Sequence, residues 1–170
     1  ALVEIGERWH RGEISVATEH FASSFVRRKL FALYNVYETG RGRGLVFAGC
    51  APEEWHEVGL LMISLFLVRH GIRLSYLGPN LQAEGLAETL QHHRPDLLVV
   101  SATSPDTAHR TGELADVVAA LPEPRPKLAY GGHGFDRHGR SQPVAHAVTV
   151  AVAIAQPVAI PVARPVRRRA

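Results

Sequence analysis

Cysteine is almost absent from the sequence, and its scarcity limits where and how the chain can work. The one cysteine among 170 residues is Cys50, so no disulfide can form within the chain. Such a composition is typical of a reducing compartment and predicts a cytoplasmic protein. Hydrophobic residues make up 46% and charged residues 21%, as in an ordinary soluble domain. The length predicts one domain, or one domain with part of another.

An excess of positive charge is also absent outside the end of the chain. The net charge is +3, but four arginines lie in the last seven residues. Removing their four charges leaves the rest of the chain near −1. The high isoelectric point therefore describes the C-terminal tail, and no nucleic-acid-binding face is predicted for the body of the chain.

Long apolar runs are missing as well. The mildly apolar stretch 144–162 contains His146, Gln156, Pro157 and Pro161, so no membrane span is predicted. The whole of 137–170 is low in complexity and is left without a fold assignment. The first residues have no methionine and no signal-peptide pattern, and they read as part of a helix, which predicts that the chain is a fragment.

Two helices are predicted for residues 1–39, which we interpret as part of a helical bundle. The apolar residues of the first helix recur at helical spacing and are Leu2, Ile5 and Trp9. Gly12 ends this helix, and Ser15 is the predicted N-cap of a second helix that runs to about Glu38. The glycine-rich residues 40–44 predict a linker, and they are not a phosphate loop because no Gly-Lys-Ser or Gly-Lys-Thr follows.

Strands and helices alternate across residues 45–136, which are the predicted α/β domain. The predicted strands are 45–48, 73–77, 96–100 and 127–130, and the predicted helices are 54–69, 81–93 and 105–121. This alternation predicts a parallel sheet with helices on both faces, in a flavodoxin-like (Rossmann-type) order. After residue 136 the pattern fails, although 148–154 is a candidate strand.

His56 lies on the loop where the first strand passes into a helix. Glu54 precedes it by two residues and can hold one ring nitrogen while the other binds a metal. His56-Glu57 begins like a zinc-protease helix, but Leu60 occupies the position of the second histidine. Zinc requires three or four ligands. A lone histidine therefore favours a metal that arrives already chelated, as in a macrocyclic cofactor.

Two further loops lie at the carboxyl ends of the predicted strands, where doubly wound sheets bind ligands. Residues 101–104 offer three hydroxyl groups. Residues 131–134 are rich in glycine, which lets a ligand approach the backbone closely, and they include His133, whose role is left open. Together with the His56 loop, they suit a large polar ligand that lies along this edge.

These three segments resemble the cobalamin-binding signature Asp/Glu-x-His-x-x-Gly, Ser-x-Leu/Thr, Gly-Gly. The matching residues are Glu54-x-His56-x-x-Gly59, Ser101-x-Thr103 and Gly131-Gly132. The resemblance implies that His56 replaces the cofactor's own dimethylbenzimidazole as the lower cobalt ligand. It also implies that the nucleotide tail enters the sheet past the other signature residues, which are Gly59, Ser101, Thr103, Gly131 and Gly132.

The predicted helices before the linker resemble the light-sensing, MerR-type transcriptional regulators of the CarH group. The resemblance lies in Trp9-His10 and in Gly12-x-Ile14-x-Val16-Ala17-x-Glu19-His20-Phe21. In that group a four-helix cap covers the upper face of adenosylcobalamin. The match implies that Trp9 packs on the adenosyl group and that Val16, Glu19 and His20 belong to its pocket. His10 would take the upper cobalt position after light breaks the cobalt–carbon bond.

The predicted function is therefore a photosensory module and not an enzyme. It would bind adenosylcobalamin, form a dimer or tetramer in the dark and change its assembly in light. DNA binding would belong to a helix-turn-helix domain outside this sequence. The alternative is a corrinoid carrier or a cobalamin-binding component of a methyltransferase or mutase, with methylcobalamin as cofactor. A third hypothesis is a flavodoxin-like module that binds a nucleotide, a flavin or no cofactor.

Overall fold

The computed structural model describes residues 2–38, 40–135 and 148–149. Within them, the helices are α1 (Leu2–His10), α2 (Val16–Tyr37), α3 (Val58–Arg69), α4 (Leu86–His93) and α5 (Pro105–Ala120). The strands are β1 (Arg43–Cys50), β2 (Ile72–Gly78), β3 (Leu97–Ser101), β4 (Lys127–Gly131) and β5 (Val148–Thr149). A 3-10 turn at His133–Phe135 follows β4.

The two N-terminal helices form as the sequence predicts. Gly12, two residues after α1 ends, adopts φ +72°, a conformation that glycine reaches without steric cost. Ser15 is the N-cap of α2, because its hydroxyl accepts a hydrogen bond from the Thr18 N–H at 3.2 Å. Helix α2 then runs to Tyr37, one residue short of the predicted end.

The strands form one parallel sheet in the order β2-β1-β3-β4-β5, which confirms the flavodoxin-like prediction. Both faces of the sheet are covered, so side chains of β1 alternate between two cores. Phe47 packs in the core that includes Leu114 of α5. Val46 and Ala48 pack in the other core, which includes Leu60 of α3.

Three predicted boundaries are wrong because tertiary contacts override the local pattern. Strand β1 begins at Arg43, inside the predicted linker, because the Arg43 N–H bonds to the Gly71 carbonyl at 3.0 Å. Helix α3 begins at Val58 rather than residue 54, because Glu53 adopts φ +62° and Glu54 bonds outside the helix. Helix α4 begins at Leu86 rather than residue 81, after Gly85 at φ +71°.

Helix α2 packs on the α/β domain through one face. The Tyr34 hydroxyl donates to the Leu74 carbonyl at 2.6 Å, and its ring joins the core under α3. Phe31 meets the ring of Tyr76 edge-on, with ring centroids 5.5 Å apart. Burial raises the pKa of Tyr34, so this side chain remains a neutral donor. Helix α2 therefore packs mainly against α3, and Phe31 and Tyr34 also contact strand β2.

The predicted strand at 148–154 is confirmed for Val148–Thr149, which pair with Ala129 and Tyr130 of β4. The remaining residues of that prediction, and the rest of the unassigned tail 137–170, lie outside the described residues. Within the described part of the chain, no helix is long and apolar enough to cross a membrane.

Candidate functional site

The Glu54 carboxylate lies at the centre of the loop that follows β1, and only 1% of the residue is exposed. Its Oε1 accepts a hydrogen bond from the His56 N–H at 2.9 Å and lies 2.7 Å from His56 Nδ1. Its Oε2 accepts from the N–H and hydroxyl of Thr103 at 2.6 and 2.8 Å, and from the Thr107 hydroxyl at 2.8 Å. One carboxylate thus fastens the β1 loop to the β3 loop and to the start of α5.

These contacts determine the charge of Glu54. Burial acts to raise the pKa of its carboxyl group, and the hydrogen bonds from His56, Thr103 and Thr107 act to lower it. The hydrogen bonds prevail, and the pKa falls from 4.5 to about 2. The side chain is therefore ionised at neutral pH and can only accept hydrogen bonds.

The ring of His56 is oriented by this carboxylate. Because an ionised carboxylate accepts, His56 Nδ1 carries the proton, and the lone pair resides on Nε2. The side chain is 81% exposed, so Nε2 is accessible to a ligand from outside. The Thr103 hydroxyl also lies 3.3 Å from Nδ1. A histidine held in this way by a carboxylate is typical of a metal ligand.

The other two predicted loops meet the His56 loop at one edge of the sheet. Cys50 pairs with Ser101, and Ser101 pairs with Gly131, so three strands end side by side. Ser101 is buried at the end of β3, and Thr103 is half-buried beside Glu54. The structure therefore brings Glu54, His56, Ser101, Thr103 and Gly131 to the carboxyl edge where such sheets bind ligands.

Two glycines of the predicted signature, Gly132 and Gly59, lack a side chain for different structural reasons. Gly132 adopts φ +116°, and a Cβ there would lie 2.2 Å from the Ala102 carbonyl oxygen. The fold itself therefore requires glycine at that position. Gly59, in the first turn of α3, is exposed, and a Cβ there would meet nothing within 4 Å. Its missing side chain keeps space open in front of α3, which is what a ligand passing there requires.

Thr107 belongs to this site and was not predicted from the sequence. It bonds to Glu54 and also forms a capping box with Ser104 at the start of α5. The pattern Ser104-Pro105-x-Thr107 could have placed Thr107 in the first turn of a helix, facing the sheet edge. Asn80 was also missed: its side chain accepts from the Glu53 N–H at 2.7 Å, and its own N–H donates to the Glu54 carbonyl at 2.9 Å.

The predicted upper-face residues lie on α1 and at the start of α2. The rings of Trp9 and His10 are in contact, with centroids 4.7 Å apart, and Trp9 is 40% exposed. Glu19 accepts a hydrogen bond from Ser23 and lies 2.9 Å from His20 Nδ1. Val16 is exposed. Among the described residues, no hydrogen bond or ion pair joins any of these five residues to the His56 loop.

The side chains at this edge fit a metal that brings its own chelate. Within the described residues, no cluster of three or more His, Cys, Asp or Glu side chains could hold a bare ion. Burial, with the nearby charges of Glu54 and Glu57, raises the pKa of Cys50 to about 12, so its thiol is not an available anionic ligand. At this edge, among the described residues, His56 Nε2 offers a fixed and exposed metal ligand, and Gly59 leaves room beside it.

Family comparisons agree with this site. A family model described as the B12 binding domain matches residues 44–155, more than half of the chain. A second model with the same description matches residues 1–34, which contain α1 and most of α2. The two matches cover both of the segments that the sequence analysis assigns to opposite faces of one ligand.

Two curated relatives are transcriptional repressors from Myxococcus xanthus. The HTH-type transcriptional repressor CarH is 36% identical over 126 residues, which are 74% of this chain and 41% of that protein. The HTH-type transcriptional repressor CarA is 30% identical over 142 residues, which are 81% of this chain and 46% of that protein. The chain thus spans less than half the length of either relative.

Solved structures with low sequence identity share the fold. The monomethylamine corrinoid protein of Methanosarcina barkeri has a TM-score of 0.69 and 18% identity, over 88% of this chain and 72% of that one. The methanol:cobalamin methyltransferase complex of the same organism has a TM-score of 0.57 and 20% identity, over 88% and 58%. At these identities, the likeness establishes the α/β architecture with its preceding helices and nothing finer.

Proposed function

The chain belongs to the B12 binding domain family and resembles the CarH-like regulators within it, and from this premise we propose that it is a photosensory module. It would bind adenosylcobalamin in the dark and respond when light breaks the cobalt–carbon bond. The observation that carries the proposal is the Glu54–His56 contact of 2.7 Å, which leaves Nε2 of an exposed histidine as the accessible nitrogen.

On the lower face, His56 would bind cobalt through Nε2, in place of the cofactor's dimethylbenzimidazole. Glu54 holds the proton on Nδ1 and fixes the orientation of the ring. Thr103 and Thr107 keep that carboxylate ionised, so it remains an acceptor at neutral pH. The nucleotide tail would run past Gly59, Ser101, Thr103, Gly131 and Gly132, where the strand ends leave backbone groups near the surface.

On the upper face, α1 and α2 would cover the adenosyl group. Trp9 offers a partly exposed aromatic surface for stacking on adenine. Glu19 and His20, paired at 2.9 Å, offer groups that bond ribose hydroxyls, and Val16 offers an apolar contact. His10, beside Trp9, would bind cobalt once the adenosyl group has left. Bound adenosylcobalamin supplies a cobalt–carbon bond that visible light can break.

Assembly would link this site to gene regulation. We propose a homo-oligomer, dimer or tetramer, that forms in the dark and changes in light. The two curated relatives are named as HTH-type repressors, so DNA binding would reside in a helix-turn-helix domain outside these residues. The module would act in the cytoplasm, as the scarcity of cysteine also predicts. A methyl carrier is the alternative, and it would transfer the methyl group of methylcobalamin to an acceptor.

The lower-face assignment is tested by electron paramagnetic resonance of protein uniformly labelled with nitrogen-15 and loaded with cobalt(II) cobalamin. Ligation by His56 should split the cobalt signal into doublets, because the coupled nitrogen-15 comes from the protein. His56→Ala should restore the triplets of the cofactor's own base or abolish binding. Triplets in the wild-type protein would exclude His56 as the ligand.

The light response is tested by loading the protein with adenosylcobalamin in the dark and recording absorbance and size before and after green light. The spectrum and the elution volume should both change. His10→Ala should leave dark binding intact and alter the spectrum of the illuminated state. A protein whose elution volume stays constant in light, and which prefers methylcobalamin and passes its methyl group to an acceptor, would be a carrier.

A further inference from the structure

Glu57 lies next to His56 and connects its loop to helix α2. The residue is 5% exposed. Its Oε1 accepts a hydrogen bond from Arg27 Nη1 of α2 at 3.1 Å, and its Oε2 accepts from the Tyr76 hydroxyl of β2 at 2.7 Å. A single carboxylate thus joins the cap helix, the edge strand of the sheet and the histidine loop.

The contacts of Glu57 are unusual for a residue at the start of a helix. It is the N-cap residue of α3, yet its side chain makes no capping hydrogen bond. Aspartate, asparagine or serine would satisfy the helix N-terminus better. The longer glutamate side chain instead reaches sideways to Arg27 and Tyr76, so its conformation is determined by α2 and β2 rather than by its own helix.

The contact with Arg27 can be separated from the other contacts of α2. Tyr34 bonds to Leu74 and joins the core, and within the described residues it forms no hydrogen bond with Glu57. Arg28, the neighbour of Arg27, is exposed and forms no hydrogen bond or ion pair with the described residues. Loss of helix docking in general can therefore be distinguished from loss of the bridge, which consists of Arg27, Glu57 and Tyr76.

We propose that Glu57 is a positioning residue, and that the Arg27–Glu57–Tyr76 bridge couples ligand binding at His56 to the position of cap helix α2. This inference rests on the proposed binding of cobalamin by His56. The coupling is reciprocal by thermodynamic linkage: a docked α2 favours the ligating position of His56, and a ligand on His56 favours docking of α2. Binding of cobalt by His56 would then shift the position of α2 through contacts within the protein, in addition to any direct contact between α2 and the ligand.

The test compares Arg27→Met with two controls, Arg28→Met and Tyr34→Phe, using hydroxocobalamin as the probe because it lacks the adenosyl group. Arg27→Met should weaken binding about tenfold, within the range typical of coupled sites. After reduction to cobalt(II), the nitrogen-15 doublets should decline in the same variant. Arg28→Met should match the wild type, and Tyr34→Phe should lose stability while keeping wild-type affinity and doublets.

Hydrogen exchange of α2 gives a second readout. Hydroxocobalamin should slow exchange of α2 amides in the wild type and in Tyr34→Phe, and should slow it about tenfold less in Arg27→Met at the same ligand concentration. Wild-type affinity and splitting in Arg27→Met would overturn the inference, as would an equal loss of affinity in Tyr34→Phe. If the wild-type protein itself bound no cobalamin, the proposed function would be wrong, which is a different result from binding without coupling.

Discussion

Glu54 is the residue on which the site depends, because it holds a negative charge inside the protein. Its pKa of about 2 in the folded protein lies below the ordinary value of 4.5. A group with a lowered folded pKa stabilises the fold above its unfolded pKa and loses that effect as the pH falls. The contribution of Glu54 should therefore be complete above about pH 4.5 and vanish as the pH falls to about 2. Its size is of order 3 kcal/mol, since each pKa unit corresponds to about 1.4 kcal/mol.

Glu54→Gln tests this pH dependence. Urea unfolding between about pH 2 and about pH 6 should give a steep loss of stability in the wild type and a flatter profile in the variant, because glutamine does not titrate. Glu53→Gln is the matched control, since Glu53 is exposed on the same loop and, within the described residues, its side chain pairs with Arg110 of α5. Parallel profiles for the wild type and Glu54→Gln would contradict the assigned role.

Thr107 supports Glu54 from the first turn of α5. Thr107→Val keeps the shape of the side chain but removes the hydroxyl that donates at 2.8 Å. We expect a loss of about 1.5–3 kcal/mol in the free energy of unfolding, the usual range for a hydrogen bond to a charged group. Thr107→Ser retains the donor and should recover most of this loss in denaturant unfolding. Equal losses in the two variants would assign the effect to packing instead.

At the scale of elements, Gly132 and Gly59 separate what the fold requires from what a ligand requires. Gly132→Ala should destabilise the protein by at least about 2 kcal/mol, because the new Cβ meets the Ala102 carbonyl oxygen and the backbone adopts φ +116°. Gly59→Ala should keep or raise stability by up to about 1 kcal/mol, since alanine favours helices. It should nevertheless weaken cobalamin binding about tenfold, equivalent to about 1.4 kcal/mol.

Thermal unfolding measures the stability of these two variants, and cobalamin titration measures their affinity for the cofactor. Gly112→Ala is a control for helix propensity, because Gly112 lies within α5 and a Cβ there also meets nothing within 4 Å. It should raise stability without changing the affinity for cobalamin. If Gly59→Ala behaved like Gly112→Ala in both measurements, no ligand would pass over the start of α3.

Element order was predictable from the sequence, because buried strands and glycine-ended helices leave clear local patterns. The start of α3 could not be predicted, because Glu54 lies outside the helix and its side chain bonds to Thr103 and Thr107, about fifty residues away. The start of α4 depends on a similar contact, since the Leu81 N–H bonds to the Cys50 carbonyl at 3.0 Å. The motif identified Glu54 and His56, while Thr107 and the Glu57 bridge required three-dimensional contacts.

At the scale of the whole molecule, the predicted boundary at residues 40–44 does not separate two independent units. Tyr34 of α2 lies in the same core as Leu60 of α3 and Leu74 of β2. Arg27, Phe31 and Tyr34 lie on one face of α2 and contact the α/β domain. β2 is an edge strand of the sheet, and the Tyr34 hydroxyl of α2 bonds to one of its backbone carbonyls, that of Leu74.

The cap helix and the sheet should therefore unfold together. Native-state hydrogen exchange at rising urea concentrations should give α2 and β2 amides the same free energy of opening, because their shared core cannot be lost in parts. Tyr34→Phe should lower both values equally, by about 1 kcal/mol, the usual net worth of one hydrogen bond. Phe21→Leu is the control, since Phe21 is 71% exposed on the same helix. A lower opening energy for α2 alone would mean that the cap docks on a sheet that is stable without it.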